Sequence, residues 1–254
     1  MRASRKPVPL IFLTVLGLAL ILSPGCDRRV EPLVVYAGKG LTNAMEEVKL
    51  AFEQQDRTPI SIIYAGSDTL LTTLQQTRKG DVFIPGSPAY LKRAGSLSGN
   101  ARPVALHVPA FVVRADNPKS LRAYADLLAN GVRIAVGNKD MCAIGRVAEN
   151  IIHDSDPRDS FQRNIVITGS TVNELLHLVV HQEVDAALIW SDMLQWPEAK
   201  GLQAITIPDA INKPKEIQVA VLTTSIDPKR AARFADFVAG KGRAIFIKHG
   251  FGAR

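Results

Sequence analysis

Apolar residues along this chain come in short runs of strand length, and most runs lead through small or turn-forming residues into a helical pattern. The run at 33–36 leads through Ala-Gly-Lys-Gly to a helical pattern at 42–54, and the run at 60–64 leads through Ala-Gly-Ser-Asp to one at 69–77. Further apolar runs follow at 81–84, 132–136, 165–167 and 186–190. Strand-length runs that alternate with helical patterns predict an α/β protein.

Two segments break this alternation. Residues 104–114 (VALHVPAFVVR) form one long apolar stretch, and residues 205–223 (ITIPDAINKPKEIQVAVLT) form a crossing interrupted by prolines before another strand. We interpret both as crossovers between two lobes, so that the chain runs from the first lobe to the second and back. The predicted division is lobe I at 30–109 and 210–254, and lobe II at 110–209.

The first residues have the layout of a secretory signal. Basic residues precede an uncharged run of 13 residues, Leu10 to Leu22, which is shorter than the roughly 20 residues that span a bilayer as a helix. The pattern predicts a signal peptide at residues 1–25. Cys26 directly follows it and resembles the acylated cysteine of bacterial lipoproteins, with simple cleavage as the alternative. We therefore expect a periplasmic or cell-surface protein on the outer side of the cytoplasmic membrane, anchored by lipid through Cys26.

Charge and motifs exclude several classes of function. Residues 1–25 carry three positive charges and no negative one, so the formal charge of the remainder falls from +7 to +4. Basic residues are scattered without an aromatic stripe, which argues against a nucleic-acid partner. The stretch Gly38-Lys39-Gly40 lacks the Walker spacing, and the sequence contains no Gly-x-Ser-x-Gly, His-Glu-x-x-His or paired-cysteine motif. We therefore predict no enzyme, no cofactor and no bound metal.

The loops between strands and helices favour anion binding. Amide groups in the first turn of a helix have no intrahelical acceptor, and the helix dipole places partial positive charge there. Ser67 and the stretch 169–172 put hydroxyls at two such starts, where each side chain either caps its helix or donates to a ligand. Lys39 adds a charge to the anion site or points into solvent. Asp68 is expected to cap its helix or to turn away, and Trp190 either walls the cleft or belongs to the core.

The same loops resemble a known family. The strings YAGKGLTNAMEEVKLAFEQ, YAGSDTLLTTLQQTRKGDVFIPGSPAYLKRA, LLANGVRIAVGNKDMCAIGRVAENI and DAALIWSDML, in this order, resemble the molybdate/tungstate-binding subfamily of ABC-transporter solute-binding proteins. The resemblance implies a type 2 periplasmic-binding-protein fold, in which two α/β lobes joined by two crossover strands hold the ligand in the cleft between them. It also implies delivery of the ligand to an ABC permease in the membrane.

In that family two serines, two backbone amides and a tyrosine hold the tetrahedral oxyanion. The corresponding positions here are Gly40, Ser67, Ile144 with Ala143 as a one-residue register alternative, Val172 and Trp190. Gly40 therefore lacks the expected hydroxyl, and Trp190 offers a bulkier ring than tyrosine. Lys39 and Asp68 are additions to the family pattern, and we include both among the predicted site residues.

Three hypotheses follow for the function. The first is a monomeric extracytoplasmic solute-binding component of an ABC importer, with a small oxyanion such as molybdate or tungstate as ligand. The second is a binder of a metal ion or a small organic anion that uses Asp68, Asp140 and Cys142. The third is an enzyme on the same scaffold, which no nucleophile–base pair in the sequence supports.

Overall fold

Strands and helices alternate along most of the chain in the computed structural model, which describes residues 31–155 and 158–253. The first part comprises β1 (Leu33–Gly38), α1 (Thr42–Asp56), β2 (Ile60–Ala65), α2 (Ser67–Thr77), β3 (Val82–Ile84), α3 (Ala89–Ala94) and β4 (Ser98–His107). The next comprises β5 (Pro109–Arg114), β6 (Ile134–Gly137), α4 (Ala143–Asp154), α5 (Arg158–Asn164), β7 (Ile165–Gly169), α6 (Val172–Val180), β8 (Ala186–Trp190) and β9 (Leu202–Ile205). The last comprises β10 (Lys215–Leu222), α7 (Pro228–Ala239) and α8 (Gly242–Lys248).

The strands of the described residues form two sheets with the same plan. Their orders are β2-β1-β3-β10-β4 and β7-β6-β8-β5-β9. In each sheet the fourth strand of this order, β10 or β5, runs antiparallel to both neighbours, and the remaining pairs are parallel. The carboxyl ends of the parallel strands lead into helices, so the α/β class predicted from the sequence is confirmed.

Strand β1 shows why the apolar runs are nearly continuous. Leu33, Val35 and Ala37 belong to one buried cluster, whereas Tyr36 belongs to another on the opposite face of the sheet. A strand covered on both faces needs apolar residues at successive positions. Helices α1 and α7 cover one of these faces, where the rings of Phe52 and Phe234 meet edge to face at 5.0 Å. Burying a side chain of this size contributes about 1.5–3 kcal/mol.

The chain passes between the two sheets at two places. The first lies at Val108, since β4 ends at His107 in one sheet and β5 begins at Pro109 in the other. The second lies between Ile205, the end of β9, and Lys215, the start of β10. The predicted crossover at 104–114 therefore contains the end of one strand and the whole of the next. The lobe boundaries near 109 and 209 stay a prediction.

Two predicted features concern the membrane. The signal peptide at 1–25 and Cys26 lie outside the described residues. Within 31–155 and 158–253, every helix is too short or too polar to cross a bilayer.

Candidate functional site

Helix starts from both sheets meet around one small cavity. The loop after β1, the starts of α2, α4 and α6, and the ends of β4 and β8 all line it. Seven of the eight predicted ligand-binding residues lie in its wall: Lys39, Gly40, Ser67, Ala143, Ile144, Val172 and Trp190. The structure thus brings together loops that are far apart in the sequence.

The wall of the cavity is rich in hydrogen-bond donors. Ala143 and Ile144 open α4 and Val172 opens α6, so their amides belong to first turns that lack intrahelical acceptors. Both residues of the register alternative, Ala143 and Ile144, line the cavity. The Ser67 hydroxyl accepts a hydrogen bond from the Gly86 amide at 3.1 Å, which leaves its own hydrogen free to be donated to a ligand. Such a wall suits an anion without any metal ion.

The cavity is the size of one small polyatomic ion. The volume open to the centre of a water molecule is about 20 Å³. Taken as a sphere and enlarged by the water radius, this corresponds to a space of about 3 Å radius. A central atom with four oxygens is of that size, whereas a nucleotide is far larger.

Thr171 acts as a cap at the edge of this wall. Its hydroxyl accepts a hydrogen bond from the Glu174 amide at 3.3 Å and so caps α6. The neighbouring Ser170 donates from its amide and its hydroxyl to the Glu174 carboxylate, at 2.7 and 2.9 Å. In the stretch 169–172 the hydroxyls therefore organise the helix start, and the amide of Val172 remains for a ligand.

Gly40 stands where a side chain would be tightly packed. A Cβ atom at this position would lie 3.0 Å from Cδ1 of Trp190 and 3.3 Å from Cγ2 of Val172. Trp190 is 2% exposed and forms one side of the cavity. The missing side chain at position 40 therefore accommodates the large indole at position 190.

Loops that follow strands of the two sheets touch each other beside the cavity. The Asp68 amide donates to the Met141 carbonyl at 3.3 Å. A Cβ atom at Gly66 would overlap this same carbonyl oxygen, so only glycine permits the approach. The contact fixes the start of α2 against the loop that precedes α4.

Asp68 is the predicted site residue that does not line the cavity. Its carboxylate accepts hydrogen bonds from Tyr90 at 2.7 Å, Arg93 at 2.5 Å and Arg146 at 3.2 Å. Burial raises the pKa of this carboxyl, but the hydrogen bonds from Arg93, Tyr90 and Arg146 outweigh burial and hold the pKa below its usual value. Asp68 is thus an ionised partner of two arginines and is turned away from the cavity.

Lys39 lies in the cavity wall, but its ammonium group is placed over another side chain. Nζ lies 5.8 Å from the centre of the Tyr64 ring, close enough for a cation–π contact. The Tyr64 hydroxyl in turn donates to the Glu46 carboxylate at 2.9 Å. The positive charge is therefore held at one side of the β1–α1 loop.

The residues of the second hypothesis do not form a metal site. Asp140 is exposed, Cys142 is buried in the cavity wall, and Asp68 is bound by arginines. Burial raises the pKa of the Cys142 thiol to about 11, so the sulfur carries its proton at neutral pH. Among the residues that the structure describes, no three His, Cys, Asp or Glu side chains lie together in a way that could hold a metal ion.

His107 is a cavity residue that the sequence reasoning missed. It ends β4, is 1% exposed, and lines the cavity together with Trp190, against whose ring it stacks at 4.0 Å. Its Nε2 atom lies 3.2 Å from Oδ1 of Asp192, a carboxylate that is also 1% exposed. A signal was present in the sequence, since His107 is the one polar residue within the apolar run 104–113.

Comparison with known proteins places the chain in a family. The family model of bacterial extracellular solute-binding proteins matches residues 33–252. The molybdate-binding protein ModA of Mycobacterium bovis is 28% identical over 233 residues, which cover 89% of this chain and 87% of that protein.

Solved structures agree with this assignment. The periplasmic molybdate-binding protein of Azotobacter vinelandii superposes with a TM-score of 0.75 at 18% identity, covering 88% of this chain and 100% of that one. The sulfate-binding protein SubI of Mycobacterium tuberculosis gives a TM-score of 0.74 at 19% identity, covering 87% and 86%. At such identities the likeness shows the fold. The chain belongs to the bacterial extracellular solute-binding proteins and has the type 2 periplasmic-binding-protein fold.

Proposed function

We propose that this protein is the solute-binding component of an ABC importer and that it captures a molybdate- or tungstate-like tetrahedral oxyanion. The observation that carries the proposal is the cavity of about 20 Å³, onto which the starts of α2, α4 and α6 converge from two sheets. Helix starts bind anions through free amides and the helix dipole. Four oxygens distributed around one centre can each meet a donor in such a space.

The family and its relatives support this choice of ligand class. Family members are extracellular solute-binding proteins, which supports a function by binding and release instead of catalysis. Relatives include a molybdate-binding protein, and structural neighbours include both molybdate-binding and sulfate-binding proteins. Tetrahedral oxyanions are the chemistry that these ligands share.

The mechanism would be a binding step coupled to closure. We assign β1–β4 with β10 to one lobe and β5–β9 to the other, since these groups form the two sheets. An anion that bridges helix starts of both lobes favours the state in which they touch. In this scheme the protein is a monomer, is anchored through Cys26, and hands the anion to a membrane permease.

Isothermal titration calorimetry with molybdate, tungstate, sulfate, phosphate and chromate tests the proposal. We expect at least one tetrahedral dianion to bind with a Kd well below about 100 μM, the affinity that corresponds to about −5.5 kcal/mol. If none of the five reaches that affinity, the oxyanion assignment is wrong. If sulfate binds and molybdate does not, the proposed role as an importer's solute-binding component is kept and the assignment of molybdate as the ligand is rejected.

A serine variant localises the binding. Ser67→Ala removes the hydroxyl hydrogen from the wall, and we expect affinity to fall about tenfold because a buried ligand oxygen loses its donor. Ser61→Ala is the matched control, since Ser61 is exposed on β2. Equal affinity of both variants would place the anion elsewhere.

A further inference from the structure

A buried histidine and a buried carboxylate meet behind the anion cavity. His107 ends β4 in one sheet, and Asp192 lies in a short 3-10 helix, Ser191–Gln195, that follows β8 in the other. Nε2 of His107 lies 3.2 Å from Oδ1 of Asp192, which is within ion-pair distance. Neither side chain makes a well-directed hydrogen bond to another group of the described protein. Buried polar atoms without partners are rare and call for an explanation.

The imidazole ring is held firmly in one orientation. It stacks on Trp190 at 4.0 Å with an interplanar angle of 7°, and on Phe251 at 5.0 Å with an angle of 26°. The segment that carries Phe251 is tied to β4 by two hydrogen bonds of 2.9 Å between Leu106 and Gly252. The ring therefore cannot turn without disturbing both aromatic neighbours.

This orientation directs the other ring nitrogen to the cavity side. Cε1 lies 3.5 Å from the place that a Cβ atom would occupy at Gly40, and Nδ1 lies 3.8 Å from the corresponding place at Gly86. Both glycines line the anion cavity. Nε2 thus lies beside Asp192, and Nδ1, which like Nε2 has no hydrogen-bond partner among the described residues, lies on the side of the cavity.

The position of Asp192 beside Nε2 determines whether Nδ1 of His107 can donate a hydrogen bond. When Nε2 carries the hydrogen beside the Asp192 carboxylate, Nδ1 carries a hydrogen only when the ring is an imidazolium. An anion oxygen at Nδ1 and a carboxylate beside Nε2 both favour that charged form. The imidazolium would donate a charge-assisted hydrogen bond, and Asp192 would keep the buried positive charge paired.

We propose that His107 contacts the bound anion through Nδ1 and that a fully deprotonated tetrahedral oxyanion binds together with one proton, which His107 takes up. The inference rests on the proposed function and deepens it, because it assigns the site a proton-linked donor. His107 thereby supplies a hydrogen bond in the part of the wall where Gly40 has no hydroxyl.

Other titratable groups around His107 are engaged elsewhere. Within the described residues, titratable side chains in the cavity wall, or close in sequence to residues that line it or contact His107, include Lys39, Asp68, Cys142, Lys215 and His249. Lys39 lies over Tyr64, Asp68 is bound by arginines, and the Cys142 sulfur lies 3.4 Å from the Asn138 carbonyl oxygen.

Two of these groups flank β4. Lys215 is paired with His107 in the β-ladder and lines a separate pocket with Asp154. His249 precedes Phe251, and its Nε2 lies 2.9 Å from Glu47. Within the described residues, Asp192 is the titratable group that lies within ion-pair distance of His107.

Calorimetry on the unmodified protein tests the proposal directly. Sulfate and molybdate carry no proton between about pH 7 and 9, so a proton taken up on binding in this range goes to the protein. Titrations at about pH 8 in two buffers of different ionisation enthalpy count the protons taken up. We expect a large fraction of one proton per bound anion, and an affinity that falls towards about tenfold per pH unit over this range.

The two proposals fail in different ways. An oxyanion that binds with no proton uptake and with constant affinity from about pH 7 to 9 would overturn the role of His107 and leave the oxyanion function standing. If neither anion binds at any pH, the oxyanion function fails and the role of His107 fails with it.

Two histidine variants identify the group that takes up the proton. His107→Asn is expected to abolish proton uptake and to weaken anion binding roughly tenfold near neutral pH. His177→Asn is the control, because His177 is exposed on α6, and it should keep both properties. Proton uptake that persists in His107→Asn would assign the proton to another group and overturn the proposal. Should His107→Asn not fold, the buffer experiment on the unmodified protein decides alone.

Discussion

Gly40 and Trp190 are best understood as a fitted pair of residues. The family resemblance implies a serine at position 40 and a tyrosine at position 190, and both are changed here. A Cβ atom at position 40 would lie 3.0 Å from the indole, which is closer than packed side chains normally approach. The smaller residue thus compensates for the larger one, and the two positions together set the shape of the cavity.

A double-mutant cycle tests this pairing. Gly40→Ser alone should weaken oxyanion binding about tenfold, because the added atoms press on the indole and displace it. Adding Trp190→Tyr should restore most of the affinity, with a coupling of about 1–2 kcal/mol. Calorimetric titration of the four proteins measures it, and additive effects of the two changes would contradict the pairing.

Lys39 is expected to affect the rate at which the anion associates more than the affinity of the bound anion. Since Nζ lies over the Tyr64 ring, Lys39→Met should change the Kd by less than about threefold at 0.15 M salt and slow association at low salt. Stopped-flow binding at two ionic strengths measures both, with Lys79→Met as the control because Lys79 is exposed before β3. A tenfold or greater loss of affinity at 0.15 M salt would instead make Lys39 a direct ligand.

Among the elements, α2, α3 and α4 are joined by one carboxylate. Asp68 in the first turn of α2 accepts hydrogen bonds from Tyr90 and Arg93 of α3 and from Arg146 of α4. Because these bonds stabilise the ionised form, the folded protein holds this proton less tightly than the unfolded chain does. Asp68 therefore contributes stability that is present above the unfolded pKa and is lost as pH falls through the folded pKa.

The pH dependence of Asp68→Asn checks this contribution. At pH 7 the variant should lose about 1–3 kcal/mol in the free energy of unfolding, since charged donors lose their acceptor. The difference should shrink below about pH 4, where the carboxyl in the unfolded chain is protonated and the advantage of the native protein fades. Urea denaturation at several pH values measures it. Asp140→Asn, at an exposed position, is the control, and a loss independent of pH would refute the assignment.

Most elements near the site could be predicted from the sequence, but only the second half of β4 could be. Its second half lies in the apolar run from Val104, whereas its first half carries Gly99 and Asn100 and is exposed. That half is a strand because it pairs with β10, for example Ala101 with Ala220. Pairing over such a sequence distance leaves no local pattern, so this half of β4 was missed. The apolar run that contains His107 marks it as an unusual polar residue but does not show that it lines a cavity.

For the whole molecule, two contacts beside the cavity join elements that follow strands of different sheets. The amide of Asp68 meets the Met141 carbonyl, and Arg146 reaches Asp68 at 3.2 Å. Both contacts link α2, which follows a strand of one sheet, with the loop and helix that follow β6 in the other. They hold the two halves of the wall together around the cavity.

Arg146→Met tests the energetic role of this contact. The methionine keeps the aliphatic part of the side chain and removes the charge, so the closed state should lose stability relative to an open one. We expect the Kd for the oxyanion to rise about three- to tenfold, mainly through faster dissociation. Lys139→Met is the control, since Lys139 is exposed and pairs with Glu149. Equal affinities of the two variants would show that the contact does not support closure.

The sequence by itself determined the α/β class, because apolar periodicity is a local property of the chain. The resemblance of its loops to a known family supplied the family and, together with the loop composition, seven residues of the cavity wall. Tertiary structure alone decided that Asp68 turns to two arginines, that Gly40 makes room for Trp190, and that His107 meets Asp192 behind the cavity. Each of these depends on contacts between residues far apart in the chain, whose distances and directions are set only when the two sheets pack.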